Sequence, residues 1–311
     1  MAEDAGSFVD RSCMGIAARQ SVLCLGLDPQ PGYISKAAPE LFKQHGVPIL
    51  DDDDAYGFEH REGLARVFLD FSKRAMNAVD QEAVWVKPQS AFWEVCGPWG
   101  LAALEDAVEH AKQLGFIVIL DAKKCDGGDT AKAYARAYVG PHSPYDALTV
   151  NGSIGQACVE HFVAALQVSG KATFVLCRTS FKPDSVFEQW GEERPHWQEV
   201  AAKIHEWGHP VMGQCGWSNL GAVVGATSRD ALIARYRMPH TWFLVPGYGA
   251  QGGGADDAVL GADNNGFGIT VNSSRGLLYP KDGDIGAAAR QARHDLNEAL
   301  RRAGKGLAWL P

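Results

Sequence analysis

Short, uniformly apolar runs recur along this chain, separated by longer stretches in which apolar residues return every third or fourth position. The runs Val22–Leu27, Ala83–Val86, Phe116–Leu120, Ala147–Val150, Thr173–Cys177, Ala222–Ala226, Trp242–Val245 and Gly268–Val271 read as strands buried on both faces, the pattern of a parallel sheet covered by helices. Between them Leu64, Val67, Phe68, Phe71 and Ala75 fall on one helical face, as do Leu101, Leu104, Val108, Ala111 and Leu114. The segment Gly286–Arg302 repeats the period with Ala289, Ala292, Leu296 and Ala299. About eight strand–helix units predict an α/β chain folded as a (β/α)8 TIM barrel. A doubly wound open sheet shares the local pattern and is the alternative. No linker-like composition divides the 311 residues, so a single barrel domain is expected over 1–311, with loop insertions near 45–60 and 181–198. The first insertion carries the acidic run Asp51–Asp54, which reads as a solvated face. Tyr56 stands where a calcium loop would need an oxygen ligand before Gly57.

The chain is 46% hydrophobic and 21% charged, ordinary for a globular protein. A net charge of −8 and a pI near 5.7 argue against nucleic acid as the main partner, because phosphate backbones require a basic footprint. A local basic pocket for one small phosphate remains compatible. Seven cysteines are scattered with no Cys-x-x-Cys pair, the signature of reduced thiols in a cytosolic setting. Met1–Arg11 is acidic and polar, unlike a secretory leader. No apolar run approaches the roughly 20 residues of a membrane span. A soluble, cytoplasmic protein is expected.

In a barrel the chemistry gathers at the C-terminal ends of the strands. The polar residues there are Asp28, Lys87, Asp121, Lys123, Asn151, Thr179, Ser180, Gln251 and Arg275, from seven different strands. The densest group is Asp121-x-Lys123-x-x-Asp126, read as following the strand Phe116–Leu120 directly. A lysine flanked by carboxylates stays protonated, which makes it a proton donor rather than a Schiff-base amine. Two aspartates held close together resist sharing an ionised state, a strain that can be aimed at a substrate carboxylate. The plainer alternative is an ion pair at a strand end. After the seventh strand, Pro246-Gly247-Tyr248-Gly249-Ala250-Gln251-Gly252-Gly253-Gly254 lets backbone N–H groups approach a phosphate. Asn272-Ser273-Ser274-Arg275-Gly276 puts an arginine after the eighth strand, at the position where barrels bind phosphate. The glycines also spell Gly-x-Gly-x-x-Gly, but too late in the chain and without the following acid that a dinucleotide site needs. His205-Glu206-Trp207-Gly208-His209 spells a zinc-protease motif; Gly208 and Pro210 should end the helix before His209 can join His205 on it. Cys125 has no adjacent histidine to activate it and reads as a small packing residue.

In order and spacing the chain resembles the orotidine 5′-monophosphate decarboxylase family, in particular its longer bacterial branch. The matching segments are Leu23–Pro29, Val86–Phe92, Asp121–Asp126, Arg178–Ser180, Val224–Thr227, Val245–Gly247 and Gln251–Gly253. The resemblance implies a (β/α)8 barrel working as a homodimer on a nucleotide with a 5′-phosphate, with no metal and no organic cofactor. It implies that Asp28 and Lys87 hold the ribose hydroxyls, that Asp121 faces the leaving carboxylate, and that Lys123 protonates C6 of the pyrimidine. Asp126 and Thr130 would reach into the partner's site, and Ser180 would bond the base. Asn151 would lie among the substrate-binding residues. Gln251 and Arg275 would bind the phosphate.

Three departures from the family pattern fall near the expected base. Gly127 replaces an apolar residue, Gly152-Ser153 replaces Pro-Tyr, and Phe181 replaces Asn. Drift in a divergent member is one reading, and a pocket reshaped for a modified nucleotide is the other. Two further alternatives are a different reaction on a nucleotide or sugar phosphate and a catalytically silent nucleotide-binding protein. The intact charge cluster speaks against silence.

Overall fold

A computed structural model of the protein describes residues 6–180, 186–191, 194–226, 230–249, 252–306 and 309. Its strands are β1 (Leu23–Leu27), β2 (Trp85–Pro88), β3 (Ile117–Lys124), β4 (Ala147–Val150), β5 (Ala172–Arg178), β6 (Ser218–Val224), β7 (Thr241–Val245) and β8 (Ile269–Ser273). They pair in parallel in chain order, and β8 closes onto β1. With helices packed around it, this is a (β/α)8 barrel rather than an open sheet.

All eight predicted strands are present, and β3 and β6 extend furthest beyond their apolar runs, by four residues each. β6 begins at Ser218 rather than Ala222, because its polar first residues are satisfied inside the protein. Ser218 Oγ donates to Gly208 O (2.9 Å), and Asn219 Nδ2 donates to Val211 O (3.1 Å). Hydropathy alone hides such a strand start. β3 continues through Asp121 to Lys124, so Asp121 and Lys123 lie in the strand and only Asp126 follows it. Pairing resumes at Lys124 with Val150 beyond an irregularity, and Gln89 bridges to Asp121 from the end of β2.

The Arg61–Ala78 helix buries Leu64, Val67, Phe68, Phe71 and Ala75 as expected, each large side chain contributing about 1.5–3 kcal/mol of transfer free energy. On the Gly97–Gln113 helix the apolar face is narrower than predicted. Leu104, Val108 and Ala111 are buried, but Leu101 is 50% exposed, because the packed stripe passes its turn through Gly100 and Ala103 instead. The Ile285–Arg302 helix buries Ala289, Ala292, Leu296 and Ala299, and Asp284 caps it by accepting the Ala287 N–H (2.8 Å).

The N-terminal helix, Phe8–Arg19, lies across the N-terminal end of the barrel. Phe8 meets Phe174 edge-on at 5.7 Å, the Val9 N–H donates to Asn219 Oδ1 (3.2 Å) and Arg11 pairs with Asp146 (3.1 Å). That end is sealed, and the C-terminal mouth is left for function.

Asp51, Asp52 and Asp53 are exposed, as a solvated face should be. The His196–Gly208 helix stops at Gly208 as predicted, yet the expected separation of the two histidines does not follow. His209 keeps helical backbone angles in a 3-10 turn (His209–Val211), and its ring lies 4.9 Å from that of His205. Among the described residues no group of three or more His, Cys, Asp or Glu is arranged to hold a metal ion. Nor is any helix among them long and apolar enough to cross a membrane.

Candidate active site

Alternation along β2 and β3 turns Lys87, Asp121 and Lys123 toward the barrel axis at its C-terminal mouth, while Lys124 points away over the rings of Tyr134 and Tyr138. Lys87 Nζ donates to Asp121 Oδ2 (2.8 Å), Lys123 Nζ to Asp121 Oδ1 (2.6 Å), and Thr149 Oγ1 to the same Oδ1 (2.8 Å). Lys87 and Asp121 are 4% and 8% exposed. Burial alone would raise the Asp121 pKa, but the ammonium groups of Lys87 and Lys123 outweigh it and hold the carboxylate far below its usual range. Burial likewise opposes the charge on Lys87, yet Asp121 and Asp28 hold it protonated, above the ordinary lysine value. Lys87 and Asp121 are therefore both ionised at neutral pH although both are buried.

Lys123 has φ +46°, the left-handed region that side chains avoid. Thr149 on β4 stabilises this turn: its Oγ1 accepts the N–H groups of both Ala122 and Lys123, each at 3.0 Å. The β3 irregularity falls at the same place, so backbone strain is concentrated where the lysine is aimed.

A cavity of about 420 Å³ opens over the array, lined by Asp28, Lys87, Asp121, Lys123, Thr149, Ser180, Asn272 and Arg275, among others. Asp28 Oδ1 and Asn272 Oδ1 are buried and accept no hydrogen bond. Buried acceptors normally have donors, so the cavity is suited to a ligand bearing hydroxyl groups. At the far edge, Arg275 is exposed beside the glycine loop, where Gly247, Gly249 and Gly252 take positive φ. The N–H groups of Gly249, Gly252 and Gly253 donate to carbonyls of the loop itself, so in this structure they brace the loop instead of pointing at the cavity.

Asp126, Thr130 and Asn151 are absent from this cavity's lining. Asp126 Oδ1 accepts the Gly127 N–H (2.7 Å), and Thr130 is exposed on the first turn of the Gly128–Val139 helix. Asn151 accepts the Ser153 N–H (3.1 Å) and lines a neighbouring cavity of about 740 Å³. Gln251 and Phe181 lie outside the described residues. Gly152 and Ser153 line the neighbouring cavity, not the one over the array. A Cβ on Gly152 would lie 2.8 Å from Val175 Cγ1, so packing against β5 suits glycine there. The exchange at 152 adds no room beside Lys123.

Sequence reading missed Thr149, Asn272 and Arg178 as contributors. Arg178, 5% exposed, pairs with Glu188 (2.7 Å) and Asp230 (2.8 Å), while Glu188 also accepts the Thr179 N–H (3.0 Å). The second insertion thus ties down the turn that carries Ser180. A strand-end arginine whose two acids lie on separate helices further along the chain leaves no local motif to find.

The sequence model of the orotidine 5′-phosphate decarboxylase / HUMPS family matches residues 21–292. An orotidine 5′-phosphate decarboxylase of Rhodopirellula baltica is 36% identical over 267 residues, 83% of this chain and 84% of that protein. One of Halobacterium salinarum is 34% identical over 305 residues, 95% of this chain and 99% of that one. The solved OMP decarboxylase of Leishmania donovani superposes with a TM-score of 0.72 at 30% identity, covering 94% of this chain and 98% of that one. With the family model matching residues 21–292 and relatives matching over most of their length, the chain belongs to the orotidine 5′-phosphate decarboxylase / HUMPS family.

Proposed function

We propose that the protein decarboxylates orotidine 5′-phosphate to uridine 5′-phosphate and carbon dioxide, with Lys123 as the proton donor. The observation that carries this reading is the ionised Lys87–Asp121–Lys123 array at the floor of a cavity with unsatisfied acceptors. Arg275 and Gln251 hold the 5′-phosphate, Asp28 and Lys87 the ribose, and Ser180 the base. This sets C6 and its carboxylate against Asp121. Two anions are then forced together at the buried Asp121 carboxylate, and departure of carbon dioxide relieves the repulsion. The C6–carboxylate bond breaks, its electron pair stays on C6, and the Lys123 ammonium is positioned to stabilise and protonate that carbon. Lysine regains its proton from solvent after product leaves. The reading uses no metal and no organic cofactor. It is tested by the loss of the orotidine 5′-phosphate absorbance with a chelator present. Rapid loss supports the assignment, and intact substrate with a saturating amount of folded protein overturns it.

Thr149 acts here as a positioning residue. Thr149→Val removes the acceptor for two N–H groups and one hydrogen bond to Asp121. Turnover should fall about 10–100-fold with little change in KM, since each lost bond of this kind is worth about 1–3 kcal/mol. Thr149→Ser keeps the oxygen and should retain most of the rate. Equal kinetics for valine and serine would dismiss the role.

Arg275→Ala should raise KM for the phosphorylated substrate about 10–100-fold, as expected for losing a charge-assisted phosphate contact worth about 1.5–3 kcal/mol. An unchanged KM removes Arg275 from the phosphate site.

We read the chain as one barrel domain that pairs into a homodimer, with Asp126 and Thr130 serving the partner's site. The exposure of Thr130 and the position of both residues off the cavity over Lys123 support this. Mixing inactive Lys123→Ala and Asp126→Ala proteins should then restore activity in mixed dimers, and no recovery counts against a shared site.

A further inference from the structure

Of the seven cysteines, Cys24, Cys96, Cys158 and Cys177 are buried, and Cys125 faces Ser153. Cys13 and Cys215 are different. They are far apart in sequence, but at the N-terminal end of the barrel the Cys215 backbone is bonded to the helix that carries Cys13. Cys215 is exposed and Cys13 half-buried. The contact is held independently of sulfur: the Cys215 N–H donates to Asp10 Oδ1 (2.8 Å), and Asp10 sits one helical turn before Cys13. Asp10 is itself fixed by Ser7, whose hydroxyl donates to its other oxygen (2.6 Å). The loop before β6 is thus pinned against the N-terminal helix, with one cysteine on each side of the seam.

We propose that Cys13 and Cys215 form an oxidation site that closes to a disulfide under peroxide, stapling the N-terminal helix to the entrance of β6. Cys215 is the attacking sulfur. It is the exposed member of the pair; the neighbouring Cys13 lowers its pKa below that of an ordinary thiol, while Cys215 together with burial raises that of Cys13. The Cys215 thiolate attacks one peroxide oxygen, the O–O bond breaks, and a sulfenic acid forms with loss of water. The Cys13 sulfur then attacks the Cys215 sulfur, the S–O bond breaks, and a second water leaves. Both sulfurs are oxidised and one peroxide is reduced to two waters. The pair sits at the opposite end of the strands from Lys123, so the staple leaves the mouth of the barrel untouched.

The test treats the full-length protein with hydrogen peroxide at neutral pH, alkylates the remaining thiols, and digests without reductant. A peptide pair linking Cys13 to Cys215, released by dithiothreitol, is expected. In Cys13→Ser the resolving sulfur is gone, so Cys215 should remain a sulfenic acid that dimedone traps, with turnover before oxidation unchanged. Three results would overturn the proposal: a link between two copies through Cys215, Cys215 oxidised in the wild type with no link to Cys13, or both thiols unmodified while a buried cysteine reacts.

Discussion

Lys123→Ala is expected to lower kcat by at least about 10³-fold, near the upper range for removing a general acid, while affinity for uridine 5′-phosphate stays within a few-fold. The asymmetry follows from where the charge develops. Lys123 Nζ sits 2.6 Å from Asp121, and the ammonium meets negative charge on the base only after the carbon–carbon bond begins to break. Its contribution therefore belongs to the transition state and hardly touches the bound product. Paired measurements of turnover and product binding check this. Equal losses in both would make Lys123 a binding residue, and wild-type turnover would end its role as donor.

The second large effect is on stability as well as rate. Lys87→Ala leaves Asp121 buried with a single ammonium partner. Breaking a buried pair from one side costs about 3–5 kcal/mol, so denaturant unfolding should show a loss of that order together with a collapse of turnover. The pH dependence of stability should change in a defined direction. In the wild type Asp121 is depressed below the ordinary carboxylate value, so its contribution is present at neutral pH and fades only as pH falls toward its folded value. Lys87 is raised, so its contribution is complete below the ordinary lysine value and fades as pH rises through the folded one. Neither group should titrate between about pH 5 and 9, and that window should be flat for this pair. Without Lys87 the Asp121 pKa climbs, and the acid loss of stability moves to higher pH. An acid limb unchanged from wild type would show that Lys87 does not hold Asp121 ionised.

The barrel was legible because its strands are buried on both faces and announce themselves as apolar runs, as at Ala147–Val150, where expectation and structure coincide. Strands that break the rule were cut short. Ser218 and Asn219 are polar yet buried, and the charged end of β3 keeps its pairing across an irregularity. At the site, Lys87, Asp121 and Lys123 were visible because charge at a strand end is costly and conspicuous. Thr149 was not, since a threonine in an apolar run looks like an ordinary strand residue, and only the left-handed backbone at Lys123 gives it a task. Asn272 was hidden in the same way until its buried, unbonded oxygen marked it. Exchanges at Gly127 and Gly152 were legible as changes but not as consequences. Gly152 meets Val175 and the second cavity, and a Cβ at Gly127 would touch only Ile154.

The most direct measurement is deuterium uptake at C6 of uridine 5′-phosphate in D2O, followed by proton NMR. It runs the proposed proton transfer backward, with neither carbon dioxide nor carboxylate present, and so isolates the lysine and its array. Exchange catalysed by the wild type and lost in Lys123→Ala is the predicted result; exchange at the same rate in both proteins would contradict a role for Lys123 as the proton donor to C6.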